Sequence, residues 1–328
     1  MPTHWGQLFM VGLPGPEMDE TARWLIQDLR VGGIILFQRN IVEPAQVAAL
    51  LRHCQEAAMA AAGCPLWIAI DQEGGPVQRL RRPFPEMPSA HQFGSLGDLA
   101  AVQAAAQQVG SALRALGITI NLAPVLDVPR NPDCPLWQRA YSSDPEQVAA
   151  FGLAAIQGYR AGGVLPVAKH FPGLGATRLD SHLDLPTAAV GEEERQRDLL
   201  PFRRVIAAGV PGIMVAHVVV PEWDDRPASL SAIAVQQILR QKLGFNGLVF
   251  TDDLEMGAIQ KHYPLDRAAV LAATAGHDVL LICEQSQHVE AALAALSQEP
   301  SLQEILPLTL NRALAQKRLF LAGSGVTF

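Results

Sequence analysis

With 328 residues, 49% of them hydrophobic and 17% charged, the chain has material for a large buried core, and long disordered stretches are excluded. The formal net charge of −7, with no run of Lys and Arg, leaves nothing to grip a phosphate backbone, so nucleic acid is not an expected partner. No apolar run reaches the roughly 20 residues that span a bilayer, and no membrane partner is expected either.

The chain opens with MPTHWGQLFMVGLPGPEMDE, which has no basic residue before Arg23 and whose apolar run is broken by Gly12 and Pro14. A signal peptide is therefore not expected, and the expected location is cytoplasmic. Short apolar, β-rich runs then recur at 8–13, 33–37, 67–71, 118–128, 165–170, 212–220, 248–252 and 278–283. Between them lie Ala-, Leu- and Gln-rich segments with helical spacing, such as 44–62, 99–116, 145–161, 192–208 and 232–243. Strands and helices alternating in this number predict an α/β fold, a single (β/α)8 TIM-type barrel, with 1–328 as one catalytic domain. A doubly wound open sheet would need a Gly-rich phosphate turn after an early strand, and none is present. Gly32-Gly33 and Gly162-Gly163 sit before strands and read as helix C-caps. A closing helix is expected over 301–321, with a loose tail after it. The cysteines, Cys54, Cys64, Cys134 and Cys283, match no zinc-ligand spacing and are expected to be buried thiols.

In such a barrel the active site lies at the C-terminal ends of the strands, so polar residues that end apolar runs are the candidates. They are Asp71 in IAIDQEGG, Asp127 in NLAPVLDV, Lys169 and His170 in PVAKHFPG, His217 in IMVAHVVV, and Asp252 in LVFTDDLEMG. Any one of them alone is as readily a helix cap or loop anchor. Together, ionisable groups on one rim would perturb one another's protonation, which points to chemistry. After Lys169 and His170, Pro172 and two glycines mark a loop that carries Asp180 and His182. An Asp beside a His holds the imidazole in one tautomer and makes it a usable proton donor near neutral pH.

The segments IDQEGGPVQRL, KHFPGLGATRLDSH and FTDDLEMGAI, supported by GGIILFQRN and NLAPVLDV, resemble glycoside hydrolase family 3. The Lys-His element with its Asp-Ser-His loop resembles that family's β-N-acetylglucosaminidases of the bacterial cell-wall recycling type. The resemblance implies a retaining hydrolase with Asp252 as covalent nucleophile, His182 as acid/base and Asp180 as its partner. It also implies that Asp71, Arg79, Arg139, Lys169 and His170 hold the sugar, with Asp127 and His217 as nearby candidates. No metal or organic cofactor is implied. The implied substrate is a small carbohydrate, a muropeptide fragment, acted on by a monomer or weak homo-oligomer. The chain departs from the family pattern at Pro76, at Leu174 and at Ala140-Tyr141-Ser142 after Arg139.

Adjacent strand residues face opposite sides, so only one of Asp252 and Asp253 is expected to point into the barrel mouth; if Phe250 and Asp252 share the inner face, Asp253 turns toward the helices or the next loop. Four other activities stay open. They are a β-glucosidase, a phosphorylase in which phosphate resolves the glycosyl-enzyme, a metal-dependent barrel hydrolase built on His170, His182, His217 and Asp252, and an inactive sugar-binding protein.

Overall fold

The computed structural model describes residues 4–323. Its centre is a closed barrel of eight strands. They are β1 Phe9–Gly12, β2 Gly33–Leu36, β3 Trp67–Ile70, β4 Ile120–Asn121, β5 Leu165–Phe171, β6 Gly212–Val215, β7 Leu248–Asp253 and β8 Val279–Ile282. Neighbours in chain order pair in parallel, and β8 closes on β1 with Ile282 opposite Val11. Parallel pairing needs a crossover after each strand, and a helix supplies every one. Pro44–Ala62, for example, starts on a proline whose missing N–H costs nothing in the first turn and stops at Gly63, whose φ of 60° lies in the left-handed region. Leu99–Ala115 begins where Asp98 accepts the Ala101 N–H, and three glutamates fill the first turn of Glu192–Ala207, where the helix dipole favours them.

Two apolar layers follow from the strand alternation. Side chains such as Met10, Ile35, Ile120, Met214 and Phe250 fill the barrel interior, while Phe9, Ile34, Ile68, Ile213 and Val249 pack outward under the helices. At the N-terminal end of the barrel, helix Leu302–Gly323 closes the floor. Its Phe320 ring lies 5.6 Å from that of Trp67, the first residue of β3, and the buried Lys317 Nζ donates to the Gly32 carbonyl at 2.9 Å. The opposite end carries the polar strand ends.

Several expectations change. In the run 118–128 only Ile120–Asn121 joins the ladder; beyond it Val125 touches β5 again through one bridge to Lys169, because Pro124 has no N–H to give. The run 212–220 splits, its end Val219–Val220 pairing antiparallel with Asp224–Pro227 in a side ribbon. Gly162-Gly163 does end a helix, with Gly163 at φ 86°. Gly32-Gly33 does not: helix Glu20–Gln27 ends at Asp28, and Gly32 is needed because a Cβ there would sit 2.1 Å from the Gln7 carbonyl oxygen. The tail expected after 321 lies largely outside the described residues.

Candidate active site

The strand ends open on a cavity of about 420 Å³, within the range of small-ligand pockets. Larger grooves flank the Pro44–Ala62 helix, but this cavity gathers side chains from around the barrel mouth. Asp71, Arg79, Arg139, Lys169, His170, His182 and Asp252 all line it, as do Glu73, Asp253 and Glu284. Asp180 borders a narrower cleft beside it, shared with Arg139, His170, His182 and Asp252.

After β3 the chain turns into a small ribbon, Gln72–Gly74 against Val77–Gln78. The Gln72 side chain builds it by accepting the N–H groups of Arg79 and Leu80, each at 3.0 Å, and the Asn121 amide clamps the Gln72 backbone from β4. The turn passes through Gly74 and Gly75 at φ 105° and 55°. This ribbon delivers a chain of buried ion pairs. Arg79 Nη2 reaches Asp71 at 3.3 Å, and Lys169 Nζ bridges Asp71 at 2.7 Å and Glu73 at 2.6 Å. Arg139 then donates to Glu73 with a two-pronged fork at 2.8 and 2.9 Å. Burial opposes the charge on each of Glu73, Lys169 and Arg139, but the partners win. Glu73 is held well below the usual carboxylate range by Arg139 and Lys169, and both cations are raised by the carboxylates they face. Desolvated charges persist only when paired this fully.

Asp127 and His217 lie behind the cavity, each fully buried. Asp127 Oδ2 accepts the His170 Nδ1–H at 2.7 Å, and its Oδ1 accepts the Leu174 N–H at 2.6 Å, which ties the histidine to the base of the following loop. With Nδ1 protonated, His170 Nε2 is the acceptor that faces Arg139 Nη2 at 3.4 Å. His217, a nearby candidate from the sequence, is not among the residues that line the cavity. Its Nε2 donates to the Asp253 carbonyl at 2.7 Å and its Nδ1 accepts from the Ser229 hydroxyl at 2.7 Å. That pattern is the neutral imidazole, and burial lowers its pKa accordingly.

The two acids that end β7 are driven apart. Leu248 and Phe250 face the barrel interior and Val249 the helices, so Asp252 falls on the inner face. Burial works against its ionisation, but any positive charge on the His217 and His170 rings, together with the Asp253 N–H and the charge on Lys169, holds its pKa below the ordinary value. Asp253 was expected to turn away. A register shift between Phe250 and Asp253 interrupts the alternation, and Asp253 borders the cavity as well. Its carboxylate accepts the Glu255 N–H, and burial, with the charges of Glu255 and Asp252, pushes its pKa up to about 7.

The loop between β5 and helix Glu192–Ala207 carries Asp180 and His182. Asp180 Oδ1 accepts both the His182 N–H at 2.9 Å and its Nδ1–H at 2.7 Å. Burial would raise the Asp180 pKa, but those two donors lower it overall. A carboxylate on Nδ1 fixes the tautomer and leaves Nε2 to give or take a proton. The loop is docked on the segment after β7. Ala258 and Gly257 donate their N–H groups to the Ser181 and His182 carbonyls, and Asp184 meets His262 at 2.8 Å and Lys261 at 3.4 Å.

Residues 2–308 match the N-terminal domain of glycosyl hydrolase family 3. The chain belongs to that family. The beta-hexosaminidase of Alkalilimnicola ehrlichii is 39% identical over 294 residues, 88% of this chain and 83% of that protein. Among solved structures, a glycoside hydrolase family 3 beta-N-acetylglucosaminidase from Paenibacillus sp. str. FPU-7 superposes with a TM-score of 0.95 at 42% identity. That match covers 98% of this chain but only 63% of the Paenibacillus protein. NagZ from Neisseria gonorrhoeae, solved in complex with N-trifluoroacetyl-D-glucosamine, gives a TM-score of 0.79 at 30% identity, covering 97% of this chain and 98% of that one.

Three features of this family 3 site were not singled out from sequence. Glu73 stands in the quoted IDQEGG run but reads there as a ribbon residue beside Asp71. Glu284 stands at the rim, where Arg39 Nη1 donates to both of its carboxylate oxygens at 2.9 and 3.1 Å. The docking of the loop joins residues some 75 positions apart and has no sequence signature. Of the departures, Pro76 is in an exposed turn, while Leu174 is buried and lines the cleft beside the cavity.

Gly257 makes the docking testable. A Cβ there would stand 2.6 and 2.7 Å from the carbonyl oxygens of His182 and Leu183. Gly257→Ala is expected to lift the loop and lower kcat roughly 10- to 100-fold, the scale of a misplaced catalytic group, with little change in Tm. Unchanged kcat would show that the docked loop is not the working geometry.

Proposed function

We propose that this family 3 hydrolase is a retaining exo-β-N-acetylglucosaminidase and that one barrel carries the whole reaction. The observation that bears most weight is the pairing, in one cavity, of an ionised carboxylate on the barrel's inner face with a histidine whose Nδ1 is committed to Asp180. Asp252 attacks the anomeric carbon while His182 Nε2 protonates the departing oxygen, and a glycosyl-Asp252 ester forms. Water then attacks the same carbon, gives its proton to His182 and releases the sugar with its β configuration restored. A histidine in this role adds no negative charge beside the nucleophile. Asp71, Arg79, Lys169, His170 and Arg139 offer the converging donors and acceptors that a sugar's hydroxyl and N-acetyl groups require. The relatives' names support the N-acetylhexosamine specificity, while cell-wall muropeptides as the source and the cytoplasm as the place of action are implied by the resemblance of the Lys-His element and its Asp-Ser-His loop to the cell-wall recycling type. Among the described residues no helix is long and apolar enough to cross a membrane.

Two experiments separate the roles. Asp252→Asn is expected to cost roughly 10³-fold or more in kcat on an aryl β-N-acetylglucosaminide, and Asp253→Asn at most about tenfold. The reverse order would move the nucleophile to Asp253. His182→Ala should spare glycosides with strongly acidic phenol leaving groups, which depart without a proton, and cripple those with alkyl or sugar leaving groups. Equal losses across the leaving-group series would remove His182 from the acid role.

A further inference from the structure

Hydrolysis as described gives Glu73, a buried carboxylate of the cavity, no contact with a reacting atom. Glu73 does not sit at the anomeric centre's strand end; it reaches in from the ribbon after β3 with a side chain only 6% exposed. Both of its oxygens are committed. Oε2 takes the Arg139 Nε–H at 2.9 Å, and Oε1 takes Arg139 Nη2 at 2.8 Å and Lys169 Nζ at 2.6 Å. Glu73 therefore fills the fork of an arginine that borders both the cavity and the cleft shared by Asp252, His170 and His182. An arginine fork with a lysine beside it is the side-chain set that grips phosphate, the fork bidentately and the lysine as a point charge.

The balance of charge matters most once the glycosyl-enzyme has formed. Asp252 is then an ester and has lost its charge. In the cavity Arg79, Lys169 and Arg139 remain, answered by Asp71 and Glu73, while the rim carboxylate Glu284 is taken by Arg39. Were Glu73 uncharged, Arg139 would have no carboxylate partner and Lys169 would keep Asp71 alone. The charge of the guanidinium would then go unanswered at the edge of the cavity that holds the sugar ester.

We propose that Glu73 selects the acceptor: by occupying the Arg139 fork and sharing Lys169, it keeps phosphate and other oxyanions out of the glycosyl-enzyme and commits that intermediate to water. The inference rests on the hydrolase reading above. The reaction held back is attack of a hydrogenphosphate oxygen on the anomeric carbon with cleavage of the bond to Asp252, giving the sugar 1-phosphate and the free carboxylate with no redox change. In the reaction allowed, water makes the same displacement and its proton passes to His182. Glu73 touches no reacting atom in either case and acts by positioning and charge.

The test uses the full chain, an aryl β-N-acetylglucosaminide and inorganic phosphate, with chloride at matched ionic strength as control. Wild type is expected to release only free N-acetylglucosamine, and phosphate should leave its rate unchanged. Glu73→Gln should bind phosphate roughly tenfold or more tightly than wild type, the weight of one charge-assisted hydrogen bond. That binding would be read as competitive inhibition or as sugar 1-phosphate among the products. Adding Arg139→Gln to that variant should abolish the phosphate effect, which a loss of packing alone would not do. If Glu73→Gln does not fold, Glu73→Asp, whose shorter arm opens one edge of the fork, should show the same change in smaller measure. Sugar 1-phosphate from wild type, or a folded Glu73 variant no more sensitive to phosphate than wild type, would overturn the proposal. A wild type that turns over no β-N-acetylglucosaminide would instead overturn the hydrolase reading on which it rests.

Discussion

Along a closed parallel barrel every second side chain must face the interior, and the last inward residue of each strand has nowhere to go but the mouth. In β7 that sequence runs Leu248, Phe250, Asp252, from apolar floor to polar rim. The floor is sealed by Trp67 and Phe320, and the charged strand ends of the cavity gather at the other end. Their gathering is then an electrostatic problem, since each brings a desolvation cost that pairing must offset.

The solution is a division of labour among carboxylates. Asp71 and Glu73 are spent on Lys169, Arg79 and Arg139, Asp127 on His170, and Asp180 on His182. Of the two acids at the end of β7, one is kept ionised by its surroundings and the other is pushed toward neutrality. Neighbouring groups whose environments drive their protonation apart are the pattern expected where one must act as a charged nucleophile. His217 serves this arrangement from behind, holding the strand end by its carbonyl instead of meeting substrate.

Much of this was legible in the residues. The eight apolar runs correspond to the eight barrel strands, because a parallel barrel strand is buried on both faces and reads as a short continuous apolar stretch. The runs that were overextended, 118–128 and 212–220, stay apolar past the ladder because the chain remains buried after it stops pairing. The gathering of Asp71, Lys169, His170 and Asp252 was legible for the same reason. Burial depth was not, which is why His217 stood among the site candidates although it lies behind the cavity. Strand parity left Asp252 and Asp253 undecided until the inner face was known, and no pattern announced the shift in register that brings Asp253 back toward the cavity. Glu73 was hidden by the ribbon, a local turn fixed by the Gln72 and Asn121 amides whose partners lie far apart in sequence.

A covalent sugar on Asp252 is the central claim. It is tested most directly by treating the enzyme with a 5-fluoro N-acetylglucosaminide bearing an activated leaving group, which slows release of the intermediate, and mapping the modified peptide by mass spectrometry. The predicted result is one glycosyl unit on Asp252, formed at the rate of the first turnover and lost again with return of activity. A sugar on Asp253, or turnover with inversion and no adduct at all, would contradict it.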